Sequence, residues 1–333
     1  MTLQKFPRAD GLTMRNHINK ISAAFLFLCV CGSSVEGADK IRIAVTNHNI
    51  TYLTAGVATK RGFFRDEGLD PEIIQTTASV SISALESGTI DYTMVFSAVV
   101  RAAMRGLPVK VVATFIDSPT YVILARPGIQ TFKEFKGRSI AIGSFGSSAD
   151  VVAQLISKHF GLDPKQDIKL IALGSDGARL AAMSQGVVDG AVVAPPSDSE
   201  GKKMGFTVLT KANEIVRFPY MGLGTSTKKL SEKPEEVKKV IKTLIRANQF
   251  MIKNRDDAIQ ILADWAKTDR SSATASLDST WKGFSPNGFI PEDGLRVVID
   301  QAKNDLKITG EVASTTVADL GPVREAMREL GLK

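Results

Sequence analysis

Two hydrophobic rhythms divide the chain. Up to about residue 225, short aliphatic and β-branched runs such as KIRIAV (40–45), YTMVF (92–96), VKVVATF (109–115), IAI (140–142) and GAVVA (190–194) alternate with amphipathic stretches. Short β-branched runs separated by helical patterns predict parallel strands wound by crossover helices. After residue 225 the period becomes helical throughout. EEVKKVIKTLIRANQFMIK behind Pro234, then DDAIQILADWAK, then stretches starting near Ser271, Pro291 and Pro322 predict a helical tail, with proline at first-turn positions. Val237, Ile241, Leu244 and Ile245 recur at helical spacing and are assigned to its core.

The first part repeats itself. IAV at 43–45 returns as IAI at 140–142, GLDP at 68–71 returns at 161–164, and a helix ending in G-x-x-D at Gly88 and Asp91 returns at Gly186 and Asp189, at offsets of 97, 93 and 98 residues. Similarity at a nearly constant offset indicates duplicated architecture. Each copy reads strand, polar loop, helix, GLDP turn, strand, polar loop, helix, strand. Between the copies, VKVVATFIDSPTYVILARPG (109–128) is apolar on both sides of 117–120 and predicts a crossing from one lobe to the other. VRFPYMGLGTS (216–226) predicts the return. The expected organisation is therefore a leader over 1–38, one lobe from 39–120 with 221–333, and a second lobe from 121–220.

The leader carries a short basic stretch and then ISAAFLFLCVC, an apolar run too short to span a bilayer, which needs about 20 residues. This is the layout of a cleavable secretory signal, with Met14 as an alternative start and cleavage expected after Ser33, Gly37 or Ala38. Both cysteines, Cys29 and Cys31, fall inside it, so the processed chain would carry no thiol or disulfide. Leu28 and Val30 stand where lipid anchoring wants a small residue before the cysteine.

Composition then narrows the picture. Apolar residues at 44% and charged residues at 23% suit a folded chain, and 333 residues suit two domains. The formal charge is +7; removing residues 1–38, with four basic and two acidic residues, leaves 38 basic against 33 acidic, or +5. The charges are interspersed with no basic stripe bearing aromatics, so no nucleic-acid partner is expected. No G-x-S-x-G elbow, cysteine nucleophile or metal-ligand spacing is present, and His48 and His159 have no acid partner nearby in sequence. No catalytic residue, metal or cofactor is expected.

In open parallel sheets, ligands bind beyond the carboxyl ends of the strands, where helix N-termini offer unpaired N–H groups. That rule nominates the loop 46–49 with Asn47, His48 and Asn49 after the first strand, 77–79 with Ser79 after the second, and 96–98 with Phe96 and Ser97 after the third. In the second copy it nominates the GSFGSS loop with Ser144, Gly146, Ser147 and Ser148, the turn 174–176, and Asp198 in PPSD. Ser147 or Ser148 would cap a helix, contact an anion, or do both. His48 would donate to a ligand or tie down its loop. Asp117 and Asp198 would read an N–H group or cap a turn, capping being favoured. Tyr220 lies on the return crossing. No arginine falls inside these loops, so an anion would rest on helix termini and hydroxyls. Trp265, Trp281 and His159 are assigned to structure.

The tracts KIRIAV, GVATKRGFFRDEGLDPEI, LESGTIDYTMVFSA, RGLPVKVVATF and FKGRSIAIGSFGSSAD, spread over about 40–225, resemble the nitrate, sulfonate and taurine type of ABC-importer solute-binding protein, which is related to binders of thiamine pyrimidine precursors. The resemblance implies a type II periplasmic-binding fold: two α/β lobes with mixed, mostly parallel sheets joined by two crossing strands. It also implies a non-enzymatic periplasmic receptor that closes on a small organic solute, a sulfonate, carboxylate or aromatic acid, and delivers it as a monomer to a membrane permease and its ATPase subunit. Asn47, His48, Asn49, Ser79, Phe96, Ser97 and 144–148 would line the cleft. VTNHNITY lacks the tryptophan and the proline-asparagine pair of pyrimidine-precursor binders. The rival readings are a pyrimidine-precursor binding or synthesis protein on this fold, and a ligand sensor for a signalling partner.

Overall fold

The structure is a computed structural model that describes residues 38–332; the leader lies outside the described residues. The aliphatic runs form ten strands: β1 (Asp39–Val45), β2 (Leu69–Gln75), β3 (Tyr92–Thr93), β4 (Val109–Ile116), β5 (Val122–Ala125), β6 (Arg138–Ile142), β7 (Ile168–Ala172), β8 (Gly190–Val193), β9 (Thr207–Lys211) and β10 (Met221–Ser226). They assemble into two five-stranded sheets, ordered β2-β1-β3-β10-β4 and β7-β6-β8-β5-β9. In the first sheet β1 runs parallel to β2 and β3, while β10 runs antiparallel to both β3 and β4. The second sheet repeats the scheme, with β6 parallel to β7 and β8, and β5 antiparallel to β8 and β9. Each sheet is therefore mixed and mostly parallel. The reversed strand of each is the one that has just crossed from the other sheet: β5 follows β4, and β10 follows β9. The parts around the two sheets are called here the first and second lobes.

The repeated G-x-x-D has a structural task. Gly88 and Gly186 adopt φ of 73° and 72°, the left-handed region that lets the preceding helix stop. The aspartate then reaches sideways to the strand that opens its lobe: Asp91 accepts from the Arg42 amide at 2.8 Å, and Asp189 from the Ser139 amide at 2.9 Å and its hydroxyl at 2.8 Å. A carboxylate receiving a backbone N–H from the neighbouring strand holds that strand in register. The stretch expected as a strand at 92–96 is paired only at Tyr92–Thr93, because Phe96 already opens the Phe96–Met104 helix and is buried among the core residues of the first sheet.

The tail forms Pro234–Lys253, with proline in its first turn, then Arg255–Ala266, Arg270–Thr280, Glu292–Leu306 and Gly321–Glu329. Val237, Val240, Ile241, Leu244 and Ile245 are all fully buried and join the first lobe's core. Burying each such side chain contributes on the order of 1.5–3 kcal/mol. Asn248 sits among them with no exposure and is fully used: its amide donates to Phe115 O and Ser285 O, both at 2.8 Å, and its carbonyl accepts from Thr54 at 2.7 Å. Trp265 is half-buried, its ring over Gly56 and its N–H on Asn49 O at 3.2 Å. Trp281 is half-buried in a short turn, and exposed His159 lies edge-on to Phe160. Among the described residues no helix is long and apolar enough to cross a membrane.

Candidate functional site

The carboxyl ends of the two sheets face each other across a cavity of about 170 Å³. Three helices of the βα repeat begin at its wall. Ala78–Glu86 is capped by Thr77, Ser148–His159 by Ser147 and Asp176–Ser184 by Ser175, each cap side chain accepting from the amide three residues on. A helix leaves its first N–H groups without intrahelical partners, and a cap takes only one of them. The amides that remain give this cavity partial positive charge.

The nominated residues divide by position. Asn47, Ser144, Ser147 and Ser148 line the cavity. Ser144 is 9% exposed, and its hydroxyl is buried with no hydrogen-bond partner. Ser147 accepts from the Asp150 and Ser144 amides, each at 3.4 Å. Ser148 reaches the first lobe, donating to Tyr220 O at 3.3 Å and lying 3.5 Å from the Ser97 hydroxyl. Ser97 therefore meets the site through Ser148.

The others stand behind or beside the wall. Asn49 is buried and donates to Asp176 Oδ2 at 2.7 Å across the cleft, while its neighbour Asn47 accepts from the Asp176 amide at 3.1 Å. His48 pairs through Nδ1 with Gln75 Oε1 at 2.7 Å and sits edge-on to Trp265 at 4.3 Å, so it ties its loop to the first lobe and lies outside the lining. Ser79 is exposed in the first turn of its helix, while Thr77 and Ala78 of the same nominated turn line the wall together with Thr76. Gly146 holds φ at 78°, and a Cβ there would stand 2.7 Å from Arg101 Cδ of the first lobe. Its amide donates to Asp150 at 2.7 Å. Asp117 lies on the crossing against Arg217 at 3.4 Å, and Asp198 lies in a first helical turn near Lys202 at 3.8 Å. Each keeps one buried oxygen unpartnered, and neither lines the cavity. Tyr220 packs edge-on against Tyr121 at 5.2 Å with its hydroxyl 3.3 Å from Thr51.

Among the lining residues outside the nominated loops are Tyr52, Gln75, Tyr121 and Arg179. No arginine falls in the nominated loops, but Arg179, one helical turn beyond 174–176, is 1% exposed and lines the cavity, so hydroxyls and helix termini are not the wall's only donors. Arg179 pairs with Asp176, donates to Val192 O, and donates through Nε to Ser175 O at 3.3 Å. The signal was available, since the one arginine within DGARLAAMS stands three residues after Asp176, on the same side of a helix that buries Leu180, Ala182 and Met183. Tyr52 accepts from Thr46 Oγ1 at 2.9 Å. Burial pushes the Tyr52 phenol well up, and burial likewise raises Tyr121 and Tyr220. All three stay neutral near pH 7. Among the described residues no cluster could hold a metal ion.

The profile of the NMT1/THI5-like family matches residues 46–258, which span the whole cavity wall. The chain belongs to this family. YtlA of Bacillus subtilis (strain 168) is 24% identical over 299 residues, 84% of this chain and 89% of its own. A family relative from Candida albicans (strain WO-1), named 4-amino-5-hydroxymethyl-2-methylpyrimidine phosphate synthase, is 25% identical over 250 residues, 68% of this chain and 70% of its own. The solved alkanesulfonate-binding protein SsuA from Xanthomonas axonopodis pv. citri, bound to MOPS, superposes with a TM-score of 0.68 at 20% identity, covering 86% of this chain and 97% of that one. The architecture is the periplasmic-binding fold.

Proposed function

We propose that this chain is the exported substrate-binding component of an ABC importer, holding a small organic anion in the interlobe cavity. The observation that carries the reading is the cavity itself. It is lined by both lobes, faced by three helix N-termini, and bears the unpartnered Ser144 hydroxyl and the buried Arg179. Fixed dipoles converging on one cavity stabilise an anion without covalent chemistry. The similarity to a binding protein of this fold supports the same role.

The mechanism follows from where the lobes touch. Bonds across the cleft include Asn49 to Asp176, Ile50 N to Pro195 O at 3.1 Å, and Lys203 to Asp269 at 3.0 Å. A ligand touching both walls adds contacts that exist only when the lobes are together, and so shifts the population toward closure. The crossings at 114–121 and 217–222 would absorb the motion. The closed monomer would then present its solute to a membrane permease and its ATPase subunit. Export by the cleaved leader places it in the periplasm, where mass spectrometry of the secreted chain should find a new N-terminus near residue 34 or 38.

The deciding experiment pairs a thermal-shift screen of sulfonates, aromatic acids, nitrate and pyrimidines with small-angle scattering. A ligand that binds only the folded form raises Tm. The reading requires a hit that also reduces the radius of gyration. A tight ligand that leaves the radius unchanged would overturn it.

A further inference from the structure

Resting on the receptor reading, we infer that the cavity selects an amine-free aromatic monocarboxylate with a single ring, of benzoate size. Four observations converge on this class.

The first concerns what the wall lacks. None of the cavity-lining residues is an aspartate or glutamate. The nearest acid, Asp176, has both oxygens engaged, Oδ1 by Arg179 and Oδ2 by Asn49. An ammonium group brought into the cavity would therefore be desolvated without a carboxylate, a cost that excludes zwitterions.

The second concerns what the wall offers. The Ser144 hydroxyl is buried and unpartnered beside the start of the twelve-residue Ser148–His159 helix. Ser148 and Ala149 occupy its first two positions, where the helix supplies no acceptor for their amides. On the far side, a guanidinium carries five N–H groups, and Arg179 uses one each from Nε, Nη1 and Nη2, which leaves two. Because Asp176 already neutralises Arg179, the site favours one negative charge and not two.

Shape is the third. Ala78, Val95 and Ala149, with the rings of Tyr52 and Tyr121, form the apolar part of the lining. Tyr121 is fixed by the edge-on ring of Tyr220 at 85° between planes, so it offers a flat, preformed surface to a planar group. Size is the fourth. The cavity measures about 170 Å³, close to the roughly 150 Å³ that accommodates benzene in an engineered core. Nitrate would leave most of that volume without contacts, and a two-ring acid exceeds it.

The test is titration calorimetry on the full secreted chain with benzoate, cyclohexanecarboxylate, taurine, nitrate and 2-naphthoate, repeated on Ser144→Ala. Benzoate should bind at least tenfold more tightly than any other member. Ser144→Ala should weaken benzoate roughly tenfold, the scale of one hydrogen bond to a charged group, while the ligand-free Tm stays unchanged because that hydroxyl has no partner to lose. Taurine or nitrate matching benzoate overturns the inference and leaves the receptor reading intact. Cyclohexanecarboxylate matching it overturns the aromatic preference. An unaltered benzoate affinity in Ser144→Ala overturns the placement of the carboxylate. If no member binds and scattering shows no closure with any solute, both readings fall.

Discussion

The two lobes share a plan and use it differently. In the first, the loop after the opening strand crosses the cleft: Asn47 and Asn49 both engage Asp176 at the start of a second-lobe helix. In the second lobe, the matching loop touches across the cleft more lightly, through Ser148 at Ser97, while Ser147 caps its own helix and the Ser144 hydroxyl is left without a partner. One loop has become a clasp and the other a cradle. GLDP diverges too. At 68–71 it runs directly into β2, an edge strand where the missing N–H of Pro71 is tolerated. At 161–164 it opens a polar turn in which Asp163 accepts from Lys165 N at 2.8 Å. Duplication conserves the scaffold, while polar side chains at loop ends set each lobe's task.

The sharpest way to break this contrast is to remove the clasp. Asp176→Ala leaves Arg179 buried without its counter-ion and strands Asn49, and should cost about 3–5 kcal/mol in urea unfolding. A loss below about 1 kcal/mol, the scale of an exposed pair, would show that the clasp is incidental. Within the helical tail, Pro234–Lys253 packs on β4 and the first lobe's helices, so Leu244→Ala should lose about 2–5 kcal/mol by opening a cavity there. Native-state hydrogen exchange should show that loss concentrated in β4 and β10, with β6 to β8 retaining their protection.

Gly146→Ala forces a Cβ onto a left-handed backbone and against Arg101 of the opposite lobe. It should cost about 1–2 kcal/mol and weaken ligand binding by loosening closure, which calorimetry would report. The cradle is probed more gently by Ser147→Ala and Thr77→Ala, one helix cap from each lobe. Each should cost about 1 kcal/mol in thermal unfolding, and affinity should fall further for Ser147→Ala, because its hydroxyl also holds the Ser144 amide.

The smallest effect is a pH dependence. Burial alone would raise the Asp189 carboxyl, but the Ser139 amide and hydroxyl, with Arg138 and Arg126, hold it below the usual carboxylate range. A depressed folded value contributes stability above the unfolded value of about 3.9 and loses it as pH falls through the folded one. Asp189→Asn should accordingly flatten the acid limb of the stability curve below about pH 4. Asp150 has the opposite sign, since burial raises its carboxyl against the pull of the Gly146 amide and Gln154. Its penalty applies above the raised value and is relieved as pH falls through it.

Much of the fold was legible in the chain because strand and helix periods are local properties. The repeat offsets located β1 and β6, the crossings matched β4 to β5 and β9 to β10, and Pro234 marked a real helix start. The candidate site was legible only where the chain ends a strand: Asn47, Ser144, Ser147 and Ser148 lie at the wall. His48 and Ser79 occupy equivalent sequence positions but point elsewhere, His48 drawn away by Gln75 and Trp265. G-x-x-D stood out in the sequence, and its carboxylates turned out to hold strands.

By itself the sequence determined two α/β copies, the order of their elements, the crossings and the helical tail, because backbone propensity and amphipathic period act over a few residues. Only the tertiary structure decided that Arg179 faces the cavity, that Asp176 is clasped from 127 residues away by Asn49, and that Ser144 stands without a partner. Those facts depend on burial and pairing between distant segments. No local pattern encodes which polar group is left unsatisfied once the two lobes meet.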